Sequence, residues 1–122
     1  MYLSGVWRGF WEQEYLGKQP MEGFELHFAH GEVRGHGLDV VGRFTITGTY
    51  HPRTGSIEFI KQYLGKHQVH YLGRPDGEGS ILGTWTILNK FGREEMVSKG
   101  PFMLRADLPK PRGDEPIQEI TR

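Results

Sequence analysis

Lys61, Tyr63, His67 and Tyr71 stand close together in the stretch KQYLGKHQVHY. Side chains of these types can move protons: a lysine held in apolar surroundings loses basicity and becomes a base or a Schiff-base nucleophile, with tyrosine and histidine as acid–base partners. The same group fits a second chemistry. A cationic head among aromatic rings can receive a small aromatic molecule and pair with its carboxylate. Both readings require the four residues to share one wall, so the elements that carry them decide.

SIEFIKQYL, residues 56 to 64, alternates as a strand, with Ile57, Phe59, Lys61 and Tyr63 on one face and Glu58, Ile60 and Gln62 on the other. Charged and amide side chains belong in water, which turns the aromatic face inward and takes Lys61 with it. An unpaired buried ammonium costs several kcal/mol. Lys61 must therefore snorkel to solvent along its stem, meet a ligand or an internal anion, or lose its proton, unless the strand register differs.

Similar alternation recurs along the chain, giving about eight strands at meander spacing. They are read over residues 5 to 15, 21 to 29, 32 to 36, 40 to 51, 56 to 64, 67 to 73, 79 to 88 and 101 to 106. AHGEV, GHGLD, PRTG, LGKHQ and RPDGEG supply the turns between them. NKFGREEMVSKG reads as a longer polar connection with room for one turn of helix. Trp7, Gly9, Trp11, Gln13 and Tyr15 share the inward parity of the first strand, against Arg8, Glu12 and Glu14. Phe24, Leu26 and Phe28, then Phe44, Ile46 and Tyr50, then Val69, Tyr71 and His67, then Ile81, Gly83, Trp85 and Ile87, and finally Phe102 and Leu104 continue that aromatic inner surface.

Short loops make consecutive strands antiparallel neighbours, and eight of them can close and remove their exposed edges. The expected fold is all-β, an eight-stranded antiparallel up-and-down β-barrel, with a β-sandwich as the alternative. Glycine, at 18 of 122 residues, is about twice its usual share, as the turns and bends of such a barrel require. The barrel occupies residues 1–106. DLPKPRGDEPIQEITR, residues 107–122, is rich in proline and charge and reads as a flexible tail, or as a strap laid on a neighbouring surface through Ile117 and Ile120.

The bulk numbers remove several function classes. Lys plus Arg equals Asp plus Glu at 15 each, so no net field draws the protein to nucleic acid or an anionic membrane. Cysteine is absent, which excludes disulfides, thiolate metal sites and a cysteine nucleophile. No long apolar run or basic leader stands in the chain, and a soluble, cytoplasmic protein is the expectation. The histidines, His27, His30, His36, His51, His67 and His70, form no local chelating pair, because strand residues three apart face opposite sides. His30 and His36 can meet across HGEVRGH, with Asp39 near, yet no metal site and no cofactor are expected. GHGLD and GRPDGEG are turns rather than phosphate loops, and no nucleophile elbow is present.

Gly5, Val6 and Trp7 form the G-x-W that opens many lipocalins and avidins, and ITGTYHPRTGSIEF and ILGTWTI resemble avidin-family strands. The resemblance is to the calycin group as a whole, and it implies an eight-stranded barrel whose first tryptophan plugs one end. The avidin ligand site does not carry over. Gly9 and Gln13 stand where that family has asparagine and serine, and although Tyr50 matches its tyrosine, Pro52 replaces the following serine. Biotin is therefore not implied. Arg105 matches the lipocalin arginine that packs over the first tryptophan, although its parity points outward and no TDY run is present.

The functional expectation is a small-molecule-binding β-barrel for an apolar or aromatic ligand, with or without a carboxylate to pair with Lys61. Trp7, Trp11, Phe59, Tyr63, Tyr71 and Trp85 would form the stacking wall, Lys61 the charge, and His67 and Gln13 the hydrogen bonds. Most such barrels bind and do not transform, so no catalytic residue is assigned. Two alternatives stay open. One is a barrel enzyme that uses Lys61, His67 and Tyr63; the other is an interaction module with a filled core, a homodimer through outward Val6, Phe10, Leu82 and Leu88.

Overall fold

The computed structural model describes residues 2–88 and 94–107 of the chain. Eight strands follow one another: β1 (Gly5–Gln13), β2 (Gly17–Ala29), β3 (Glu32–Leu38), β4 (Arg43–Tyr50), β5 (Ile57–Tyr63), β6 (Gln68–Pro75), β7 (Ser80–Leu88) and β8 (Glu94–Ala106). Each pairs antiparallel with the next, and β8 returns to β1 with Trp7 opposite Ala106 and Trp11 opposite Phe102. The result is the closed up-and-down barrel, and no helix occurs among the described residues.

The face assignments hold where the pleat is regular. In β5, Ile57, Phe59, Lys61 and Tyr63 are all buried while Glu58 is exposed. Phe44 and Ile46 of β4, Val69 and Tyr71 of β6, and Phe102 and Leu104 of β8 are buried in the same way. β2 departs from strict alternation. Its register against β1 slips by one residue, from Trp7 opposite Phe24 to Gly9 opposite Met21. Gly23, at φ 68°, adopts the left-handed conformation that such a bulge asks of one residue. The extra residue turns both Met21 and Phe24 inward, to 5% and 1% exposure, although three positions separate them.

Several boundaries differ from the sequence expectation. β1 ends at Gln13, and Tyr15 is not an inward residue: it sits in the following turn with φ 75° and is 97% exposed. β2 begins earlier, at Gly17, and β3 runs on to Leu38, through glycines read above as a break. Val40 and Val41 belong to the β3–β4 loop rather than to β4, and His67 to the β5–β6 turn rather than to β6. The helical turn allowed for within NKFGREEMVSKG is absent from residues 94–100, which are strand; Leu88 pairs with Glu94 and Trp85 with Gly100. A closing strand must satisfy the backbone of two neighbours at once, and that demand overrides a polar composition. Residues 89–93 of that connection and the tail from 108 onward lie outside the described residues. Asp107 itself donates its backbone N–H to the carbonyl of Val6 at 2.8 Å.

Gly9 meets a requirement of barrel closure. A β-carbon there would lie 1.8 Å from the Met103 carbonyl oxygen, so glycine permits β8 to approach β1 and close the barrel.

Inside, the rings form tiers. At the end where β1 begins, Phe28 lies 5.0 Å from Tyr2, 5.6 Å from Trp7 and 5.5 Å from Tyr50, centroid to centroid. The Trp7 indole donates to the Leu3 carbonyl at 2.8 Å, and the Tyr2 hydroxyl donates to the Gly55 carbonyl. In the middle tier Phe59 stacks on Tyr71 at 4.7 Å and Phe102 meets Tyr71 edge-on at 5.0 Å. The opposite end is not filled in this way.

Candidate functional site

The opposite end is built from the last residues of β1, the end of β5, the start of β6, the end of β7 and the β3–β4 loop. A cavity of about 210 Å³ lies there, lined by Trp11 and Gln13 of β1, Lys61 and Tyr63 of β5, and Trp85 and Ile87 of β7. His67, Val69, Tyr71 and Val41 complete the lining. An eight-stranded barrel has an interior just wide enough for side chains or for one small ligand, and here the two solutions occupy opposite ends.

The Lys61 head group meets an internal anion rather than solvent. Its side chain is 3% exposed, and Nζ lies 3.1 Å from Oδ2 of Asp39, whose own side chain is 28% exposed at the rim. The Tyr63 hydroxyl donates to the same Oδ2 at 2.6 Å. Oδ1 of Asp39 accepts the backbone N–H of Val41 at 2.9 Å and of Gly42 at 3.3 Å. Nζ also stands 4.3 Å from the Phe44 ring centroid and 4.8 Å from that of Tyr63, within cation–π range. Asp39 and Gly42 exchange two backbone hydrogen bonds of 3.1 Å, and Lys66 Nζ donates to the Val41 carbonyl at 2.6 Å. The loop that carries Asp39 is thus fastened from inside the barrel by Lys61 and Tyr63 and from outside by Lys66.

The charges follow from this geometry. Burial depresses the Lys61 pKa, and Asp39 restores only part of the loss. For Asp39, burial works upward, but the Tyr63 hydrogen bond and the Lys61 charge outweigh it and hold the carboxyl below its ordinary value. Tyr63 and Tyr71 are both pushed well above the ordinary tyrosine value, chiefly by burial and further by the Asp39 charge. Both phenols are therefore donors at neutral pH. The site is a neutral ion pair beside an aromatic and aliphatic hollow.

Of the residues singled out from sequence, Trp11, Gln13, Lys61, Tyr63, His67, Tyr71 and Trp85 line one cavity. His67 is exposed at the rim, with its ring 5.0 Å from Tyr63. Trp7 and Phe59 do not line it. Trp7 belongs to the filled end, and Phe59 stands behind Tyr71 as its stacking partner. Arg105 is exposed, as its parity implied, and its Nε and Nη2 donate to Ser80 Oγ at 3.1 and 2.8 Å.

Val41, Val69, Ile87 and above all Asp39 were not recognised as members of the site. Asp39 entered the sequence argument only as a companion of His30 and His36, yet both its carboxylate oxygens are committed to the β3–β4 loop, Lys61 and Tyr63. A signal did exist. In an up-and-down meander every second loop lies at the same end, so the β3–β4 loop meets the end of β5, and Asp39 is the acid it carries. The chain matches no protein-family model, no curated protein and no solved structure.

Proposed function

We propose that the barrel binds one small apolar or aromatic molecule in the cavity at the Trp11–Trp85 end. The observation that carries this reading is a hollow of about 210 Å³, walled by Trp11, Val69, Trp85 and Ile87, in a barrel whose other end is packed with rings. Small-molecule sites are concave and mostly apolar, with a few convergent polar groups, and Gln13, Lys61, Tyr63, His67 and Tyr71 are the groups available here. Trp11 and Trp85, edge to face at 5.4 Å, offer ring surfaces to a planar ligand. Phe59 supports the wall from behind Tyr71, and Trp7, at the filled end, stays outside the site. The G-x-W start and the closed eight-strand meander support a calycin-like kinship, in which ligands lie within the barrel.

Binding is favoured over acid–base catalysis because Lys61 and Tyr63 both direct a proton to Asp39, which leaves neither poised as a free base. Contact between copies through Val6, Phe10, Leu82 and Leu88 has less support. Phe10 and Leu82 flank Met103 across β1, β8 and β7, but Lys18 Nζ covers the Phe10 ring at 4.3 Å.

The test fills the hollow. Val69→Phe adds a ring where Val69 lines the cavity; the wild type is expected to show a chemical-shift response to ethylbenzene, and the variant to stay folded and lose it. A response that survives in Val69→Phe would place binding elsewhere and overturn the proposal.

A further inference from the structure

The cavity's hydrogen-bonding groups are unbalanced, and the imbalance defines its ligand, given the binding role proposed above. Asp39 is saturated. Its Oδ2 accepts from Lys61 and Tyr63, and its Oδ1 from the backbone of Val41 and Gly42. The indole N–H of Trp85 is also committed, to the Glu12 carbonyl at 2.9 Å. Two donors are not. Tyr71 is 3% exposed and lines the cavity, and its hydroxyl has no hydrogen-bond partner among the described residues. Lys61 has three N–H bonds, of which one meets an oxygen, that of Asp39, and its ammonium otherwise faces the Phe44 and Tyr63 rings.

Buried hydroxyls are nearly always satisfied, because an unmet one loses its hydration without compensation. A group that supplies an acceptor to Tyr71 provides that compensation. The acceptor need not be charged. Lys61 is already neutralised, and a ligand carboxylate would bring a second negative charge close to the Asp39 carboxylate that Nζ holds at 3.1 Å. Size sets a further limit. A dry cavity of about 150 Å³ takes benzene, so about 210 Å³ admits one ring with a short substituent.

We infer that the ligand is a neutral, single-ring aromatic molecule of about eight or nine non-hydrogen atoms, bearing a carbonyl-type acceptor that takes its hydrogen bond from Tyr71. This replaces the carboxylate in the sequence expectation by an uncharged acceptor and moves the specificity from Lys61 to Tyr71. Lys61, held by Asp39, then forms part of the wall.

The experiment titrates wild type and Tyr71→Phe with three probes of nearly equal size, acetophenone, ethylbenzene and benzoate, followed by amide chemical shifts. In the wild type acetophenone is expected to bind more tightly than benzoate. In Tyr71→Phe the ratio of acetophenone to ethylbenzene affinity should fall about three- to tenfold, the value of one neutral hydrogen bond. Ethylbenzene should bind the variant as well as it binds the wild type. The melting temperature of ligand-free Tyr71→Phe should not fall, since the hydroxyl it removes has no hydrogen-bond partner among the described residues; a fall would assign Tyr71 a structural partner and overturn the inference. An unchanged affinity ratio, or benzoate as the tightest probe, would also overturn it while ethylbenzene binding left the binding role standing. If none of the three probes binds, the binding role and the inference fall together.

Discussion

The two ends of the barrel are made from the same kinds of residue and do different things. At the end where β1 begins, Tyr2, Trp7, Phe28 and Tyr50 pack ring against ring, and the polar atoms of Tyr2 and Trp7 are absorbed by the Gly55 and Leu3 carbonyls. At the other end Trp11, Tyr63, Tyr71 and Trp85 surround a hollow, and a lysine and an aspartate take the place that another ring would fill. Aromatic content therefore does not distinguish a core from a site. One difference is the Tyr71 hydroxyl: the polar tips of Tyr2, Trp7, Tyr63 and Trp85 all find partners within the protein, whereas that of Tyr71, at the hollow end, has none among the described residues.

The largest expected effect tests that contrast directly. Trp7→Ala removes a side chain that is 2% exposed and packed on Phe28, and should cost about 3–5 kcal/mol. Trp11→Ala opens a wall that already borders empty space and should cost less than half as much. Denaturant unfolding measures both, and equal losses would mean that the hollow end is packed as tightly as the filled one.

Next in size is the ion pair, where the two partners should differ. Asp39→Asn leaves a buried ammonium without its counter-charge and should cost about 2–3 kcal/mol, below the range for a fully enclosed pair because water reaches the rim. Lys61→Met replaces the cation with an apolar chain among Phe44 and Tyr63, leaves a carboxylate that water and three other donors still satisfy, and should change stability by less than about 1 kcal/mol. The dependence on pH has a definite sign. Asp39 ionises below its ordinary value of 3.8, so its contribution is complete above that pH and is lost as pH falls through the lower folded-state pKa. The gap between wild type and Asp39→Asn should close in that acid range. Lys61 acts oppositely: its pKa lies below 10.5, so burying the ammonium costs stability at neutral pH, and the cost fades as pH rises through the folded-state pKa toward 10.5. Unfolding curves at acid, neutral and alkaline pH check both limbs.

The smallest effect concerns the loop over the hollow. Lys66→Ala removes only the outer fastening to the Val41 carbonyl and should cost less than about 1 kcal/mol. Amide exchange should rise at Val41 and Gly42 and stay unchanged around Gly31 and Gly55 at the filled end. Equal acceleration at both ends would show that the loop is not fastened independently.

Much of the fold was legible because strand parity is local. Charges on one parity of β1 and β5 place Trp7, Trp11 and Lys61 inside without knowledge of any neighbour, and seven of the nine proposed ligand-wall residues do border the cavity. Trp7 and Phe59 share their parity but not their height, and height along the barrel depends on register and strand tilt. Met21 was missed because the bulge at Gly23 breaks the alternation on which the reading relied. The first half of β8 was missed because its composition is polar and its strand state comes from closure.

By itself the chain determined the class of fold and the direction of most side chains, Lys61 included, since period-two alternation and turn chemistry act over a few residues. Only the tertiary structure decided what Lys61 meets and where the space is. Asp39 lies 22 residues away and comes within 3.1 Å through the pairing of β3, β4 and β5. The hollow is what remains after all eight strands have contributed side-chain volume, and no single segment carries that sum.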